Sequence, residues 1–258
     1  MVYDEQCRMG YPDHVTVQAP REGAFTALRP PTRPSLPDSI YLLDDSGNAD
    51  MSFFGFIRVP WVQGWSDVHV AWTAFLEKLQ VNPHFTYGAG GPLHAVDLVA
   101  GRGRLLHPEA GPAPTNRQKS AAAQVVFQGL EALAKVPGLA VGAVYRHGAT
   151  REDLYADLVE MLNNQHAHAG TSCQFIVDGN GTERALRAAH RRLPADRRHI
   201  LGDPLLVPAR QTPILQAADF VTHAAFQSVA RHPRRSFMWD WYLRVFPEAG
   251  APMNLGRV

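Results

Sequence analysis

Three aspartates in this 258-residue chain stand where a carboxylate could do chemistry. Asp44 ends the apolar run Ile40-Tyr41-Leu42-Leu43, and Asp178 ends Ser172-Cys173-Gln174-Phe175-Ile176-Val177. Asp219 lies among small and apolar neighbours in Ile214-Leu215-Gln216-Ala217-Ala218-Asp219-Phe220-Val221. A carboxylate in apolar surroundings needs a cation or hydrogen-bond donors. Gathered together, the three would suit Mg²⁺ or Mn²⁺, which take carboxylate and water oxygens and, in pairs, activate a water and stabilise the leaving oxygen of a phosphodiester. Each also has a plainer reading. Strands often stop on an acid, Asp45-Ser46-Gly47-Asn48 has the composition of a hairpin turn, and Asp219 can pair with an arginine.

The elements that must position them can be read from pattern. Ile40–Leu43 and Met51–Val59 read as two antiparallel strands across the Asp45–Asn48 turn, and Pro60 closes the second. Ser66-Asp67 offers an N-cap for a helix to about Gln80. Helices follow at roughly 115–135 and 151–168, with a central strand at Leu139–Tyr145 between them. The strand that delivers Asp178 leads into a basic helix, Glu183–Leu193, and a short strand falls within 203–208. The last long helix runs from Pro213 to about Arg231. On it Gln216, Asp219 and His223, three and four residues apart, share one face. Phe85 to Pro114 is crowded with Gly, Pro and His around Ala95–Val99, and such long loops are commonly functional or mobile. The pattern is α/β. Residues 1–38 form a Pro/Arg-rich extended arm, 39–235 the main domain, and 236–258 an aromatic tail that packs back on it.

Bulk properties narrow the classes. Lys and Arg (25) nearly balance Asp and Glu (24), so no global field draws the chain to nucleic acid or membrane, although a local basic face remains open. Cys7 and Cys173 are too few for a disulfide framework or a zinc ribbon. No apolar run is long enough to cross a bilayer and no basic-then-apolar leader opens the chain, so the expectation is a soluble cytoplasmic protein.

Four segments in order carry a resemblance. Tyr41-Leu42-Leu43-Asp44-Asp45-Ser46-Gly47-Asn48 resembles the opening Y-I-D-E-S-G-N of the family called domain of unknown function 3800. Leu93-His94-Ala95-Val96-Asp97-Leu98 resembles its E-L-H-A-x-D/E-L segment, Phe175–Asp178 its strand ending in Asp, and Ile214–Val221 its closing I-Q-L-A-D-L-I/V. The resemblance spans roughly Ile40 to Arg231. It implies a ribonuclease H-like fold, with a mixed central sheet flanked by helices, and a metal-dependent nuclease using Mg²⁺ or Mn²⁺. Asp44, Asp178 and Asp219 match its metal-holding acids, and His94 its histidine, which can bind a phosphate oxygen, orient a water or shuttle a proton. Two departures stand out: Pro92 occupies the place of a glutamate, and Asp44-Asp45 replaces Asp-Glu. Asp97 is a candidate to substitute for the missing acid. A catalytically impaired member, kept as a nucleic-acid- or protein-binding module, is the alternative.

Arg184, Arg187, Arg191 and Arg192 follow the Asp178 turn and are candidates to hold the phosphates of DNA or RNA, against the ordinary reading of a solvated helix face. Gly101-Arg102-Gly103-Arg104 lacks the form of a phosphate-cradling loop. His166 and His168 cannot share a helical face and read as a frayed helix end. Ser46 lacks the His and acid partners of a nucleophile.

Overall fold

Ser39–Asn48 forms a strand, β1, with partners on both edges. Its apolar residues alternate between two cores: Ile40 and Leu42 enter one, Tyr41 and Leu43 the other. An all-apolar strand start is what burial on both faces demands. In the computed structural model, residues 36–82, 93–102 and 116–256 are described. Residues 1–35, which carry most of the expected arm, and Pro92 lie outside them.

β1 does not stop at Asp44. Asp45, Ser46, Gly47 and Asn48 continue it, paired with Phe54, Phe53, Ser52 and Met51 of β2 (Met51–Pro60). The hairpin turn is the two-residue link Ala49-Asp50, where Asn48 Oδ1 accepts from the Asp50 N–H at 2.9 Å. The residues expected as a turn are strand because ladder partners satisfy their backbone groups, and a two-residue loop is the commonest hairpin closure.

The sheet has six strands in the order β5-β4-β1-β2-β3-β6. β3 (Ala140–His147) runs antiparallel to β2, while β4 (Cys173–Asp178) runs parallel to β1 and β5 (Leu205–Val207) parallel to β4. β6 (Met253–Asn254) adds to β3 in parallel. The fold is therefore α/β with a mixed sheet.

Helices cover both faces. One carries α1 (Gln63–Gln80), α2 (Ala95–Val99), α3 (Asn116–Leu133), α6 (Pro213–Ala230) and α7 (Trp241–Val245); the other carries α4 (Arg151–Ala169) and α5 (Arg184–Arg192). α1 begins at Gln63, ahead of the expected Ser66 cap, and has no side-chain cap at Val62. α4 follows its sequence signals closely. Thr150 Oγ1 accepts from the Asp153 N–H at its start, and Gly170, left-handed at φ 63°, ends it.

α6 is the keystone. Every residue from Ile214 to Gln227 except Asp219 is buried, and the helix lies across β1 and β2. Gly55 of β2, the cross-strand partner of Asp44, makes that approach possible: a Cβ there would meet Thr222 Oγ1 at 2.4 Å and its Cα at 2.7 Å. Arg231 ends α6 at φ 46°, a left-handed conformation that costs a non-glycine residue about 1–2 kcal/mol. The chain then turns back through a 3-10 segment, Pro233–Met238. Met238 at its end, and Trp241, Tyr242 and Phe246 beyond it, join the α6-side core. Among the described residues no helix is long and apolar enough to cross a membrane.

Candidate functional site

Strand parity decides which acids can meet. Side chains alternate faces along a strand, so Asp44 follows Ile40 and Leu42 onto the α6 face. Asp178, two residues after Ile176, does the same. Leu43 pairs with Val177 across the parallel β1–β4 ladder, so Asp44 and Asp178 stand side by side one step further. Asp219 comes down onto them from α6. The two strands and the helix thus bring three carboxylates within electrostatic reach of one another.

Each is held differently. Asp178 Oδ1 accepts from the Ala209 N–H at 2.8 Å, just beyond β5. Asp219 Oδ2 accepts from the Ala95 N–H at 2.7 Å, the first residue of α2. Next to it, Gln216 Oε1 accepts from the Leu93 N–H at 3.1 Å while its Nε2 donates to Ala209 O at 3.2 Å. Gln216 therefore ties together the two backbone segments that orient Asp219 and Asp178. Among the described residues, the second oxygens of Asp178 and Asp219 have no hydrogen-bond partner. Asp44 keeps partial solvent access, but protein atoms crowd it enough that desolvation pushes its carboxyl well above the usual range. Repulsion from Asp219, Asp45 and Asp178 pushes the same way. Burial also lifts Asp219, to about 6, against the Ala95 hydrogen bond and the nearby His94. These groups repel one another as charged neighbours do, which is the imbalance a cation corrects.

Asp44, Asp219, His94 and the Ser46-Gly47 strand end line a cleft of about 430 Å³, together with His223, Gln227, His232 and Arg235. His94, half exposed, has Nδ1 3.9 Å from Asp219 Oδ2. Asp45 also reaches the cleft wall but points from the opposite parity. Arg151, at the start of α4, holds it at 2.7 Å and so neutralises it.

Other expected residues fall elsewhere. Asp97, on α2, pairs with Arg102 at 3.4 Å and does not line the cleft, although its charge is felt by Asp219. α5 packs with α4 on the far face of the sheet, since Leu186 and Ala189 enter that core. Its arginines are partly committed: Arg187 donates to Gly181 O at 2.8 Å, and Arg191 pairs with Asp203 at 2.6 Å. Arg192 lines a separate cleft with Asp153 and Asp157, and Arg184 is exposed. The arginine at the acidic cleft is instead Arg235, from the basic cluster Arg231-His232-Pro233-Arg234-Arg235 that follows the Asp219 helix and whose sequence reading was to complement the negative end of that helix. His166 is no frayed end: it is buried, with Nε2 3.1 Å from Tyr41 Oη and Nδ1 2.8 Å from Thr171 Oγ1.

As hard oxygen donors, Asp44, Asp178 and Asp219 suit Mg²⁺ or Mn²⁺ in chemistry and charge. Among the described residues, however, no three His, Cys, Asp or Glu side chains are already close enough to share one ion. Comparison with family models, curated proteins and solved structures returns no match, so the motifs and this cleft are what the function must be read from.

Proposed function

We propose that the chain is a divalent-metal-dependent phosphodiesterase acting on nucleic acid, built on a ribonuclease H-like fold and related to the domain of unknown function 3800 family. One observation carries this reading: Asp44 and Asp178 on adjacent parallel strands lie within electrostatic reach of Asp219 on the facing helix, and burial with repulsion between these acids raises Asp44 and Asp219 above the usual carboxylate range. Mg²⁺ or Mn²⁺ held by Asp44, Asp178 and Asp219 would supply positive charge to the phosphoryl oxygens and acidify the attacking water.

The chain's own residues do the rest. The Ala95 and Ala209 amides fix the orientation of Asp219 and Asp178, each engaging one oxygen of its carboxylate. His94, at the exposed rim beside Asp219, is within reach to hand a proton to the leaving oxygen or to orient a water. Purified protein is expected to cut DNA or RNA with Mg²⁺ or Mn²⁺, and Asp178→Asn to abolish cutting without lowering the melting temperature. Absence of cleavage of both polymers with both ions overturns the reading.

A second reading, a non-catalytic nucleic-acid- or protein-binding module, draws on the carboxylates not yet closing on a common point. It predicts no divalent-ion heat in calorimetry, and nucleic-acid affinity that survives Asp219→Asn.

A further inference from the structure

Asp219, His223 and Gln227 follow one another at four-residue intervals on α6, so a single stripe carries an acid and then two neutral polar groups into the same cleft. His223 and Gln227 are each only 5% exposed. Among the described residues, His223 Nε2 and Gln227 Oε1 have no hydrogen-bond partner. A third orphan joins them from the segment that turns back after α6: Arg235 Nη1 is buried and unpartnered, and its side chain lines the same cleft. Folded proteins leave few buried polar groups unpaired, because each such group forfeits its hydration, the more so when charged. Three such groups facing one cleft make a set that a polar ligand would satisfy.

The charges indicate which ligand. Among the described residues no carboxylate forms an ion pair with Arg235, and the charged group that perturbs it is a second cation, Arg102. A guanidinium with a free N–H and no counter-ion, flanked by an imidazole and a carboxamide, matches an anion rich in acceptor oxygens. We infer that this end of the cleft is a phosphate subsite for the strand unit adjoining the one hydrolysed, with Arg235 and His223 donating to phosphate oxygens. The Gln227 carboxamide, whose two ends exchange by rotation, closes a third side. The position of this unit relative to the hydrolysed one rests on the phosphodiesterase reading; the binding itself does not.

The test is binding without turnover. A short fluorescent single-stranded oligonucleotide is titrated in chelator against wild type, Arg235→Ala and Arg235→Lys, at several salt concentrations. Arg235→Ala is expected to weaken binding about tenfold and to flatten the dependence of log Kd on log salt by about 0.7, one phosphate contact on a single strand. Arg235→Lys keeps the charge but not the fork, so it retains the salt slope while binding more weakly, and it guards against a folding artefact in the alanine variant. Wild-type affinity and slope in Arg235→Ala overturn the subsite. Inorganic phosphate separates the sources: binding as tight as that of the oligonucleotide overturns the strand assignment, while binding at least about tenfold weaker supports it. If wild type cleaves but Arg235→Ala binds normally, only the subsite fails. If nothing is cleaved yet the Arg235 dependence holds, only the phosphodiesterase reading fails.

Discussion

Gly55 and Thr222 touch across the sheet–helix boundary, and any side chain on Gly55 would run into the backbone of α6. Because Gly55 pairs with Asp44, this contact sets how close α6 brings Asp219 to the strands. Gly55→Ala should lower stability by about 1–3 kcal/mol, the usual range for overpacking. It should also weaken divalent binding more than its effect on the fold accounts for. Denaturant unfolding beside calorimetric metal titration checks both; unchanged metal affinity at reduced stability would separate helix spacing from the site.

In the metal-free protein, Asp219 sets a pH dependence of definite sign. Its folded pKa, about 6, lies above the ordinary 3.8, so the folded state binds the extra proton. Its contribution to stability is full below about pH 4 and is lost as pH rises through 6. Asp219→Asn removes that loss and should raise stability at pH 7 by about 1–3 kcal/mol. His190 and His223, both lowered to about 4 by burial, act in the opposite sense: their contribution is full above the usual histidine range and lost as pH falls toward 4. Unfolding free energies of wild type and Asp219→Asn from pH 4 to 8 should therefore diverge upward through 6. Parallel curves would show that Asp219 is not perturbed.

Adjacent acids in the first motif should behave unlike each other. Asp44→Asn is expected to abolish Mg²⁺ and Mn²⁺ binding in calorimetry. Asp45→Asn, which loses only the Arg151 pair, should retain it and change stability by less than about 1 kcal/mol, as partly exposed ion pairs do. Equal losses in the two variants would refute the strand-parity assignment.

Gln216→Ala leaves the buried Leu93 N–H and the Ala209 carbonyl without their side-chain partner. A loss of about 1–3 kcal/mol is expected in chemical denaturation, together with weakened metal binding, since both neighbouring amides orient carboxylates. A variant with normal stability would mean that these backbone groups find other partners.

Much of this arrangement was legible in the sequence because it is periodic. The apolar run before Asp44, the apolar run before Asp178 and the three-and-four spacing on α6 each gave the correct element, and Pro213 marked the start of α6 where backbone chemistry favours it. The Asp45–Asn48 turn was misjudged because its composition outweighed ladder partners that are nine or fewer residues away and that only the pairing reveals. Which face α5 would take, and that Arg235 would stand in for its arginines at the cleft, depend on chain reversal at Arg231, and a left-handed arginine leaves no compositional trace. His166 read as part of a frayed helix end; its tyrosine partner, Tyr41, is 125 positions away.

The single hydrogen bond from the Ala95 amide to Asp219 Oδ2 makes that oxygen a shared possession. A ligand that binds Oδ2 must compete with the amide and so loosens the start of α2, whereas one that binds Oδ1 leaves α2 seated. Hydrogen exchange at Ala95 therefore reports which lone pairs of the carboxylate are engaged: faster exchange on loading means Oδ2, and unchanged exchange means Oδ1.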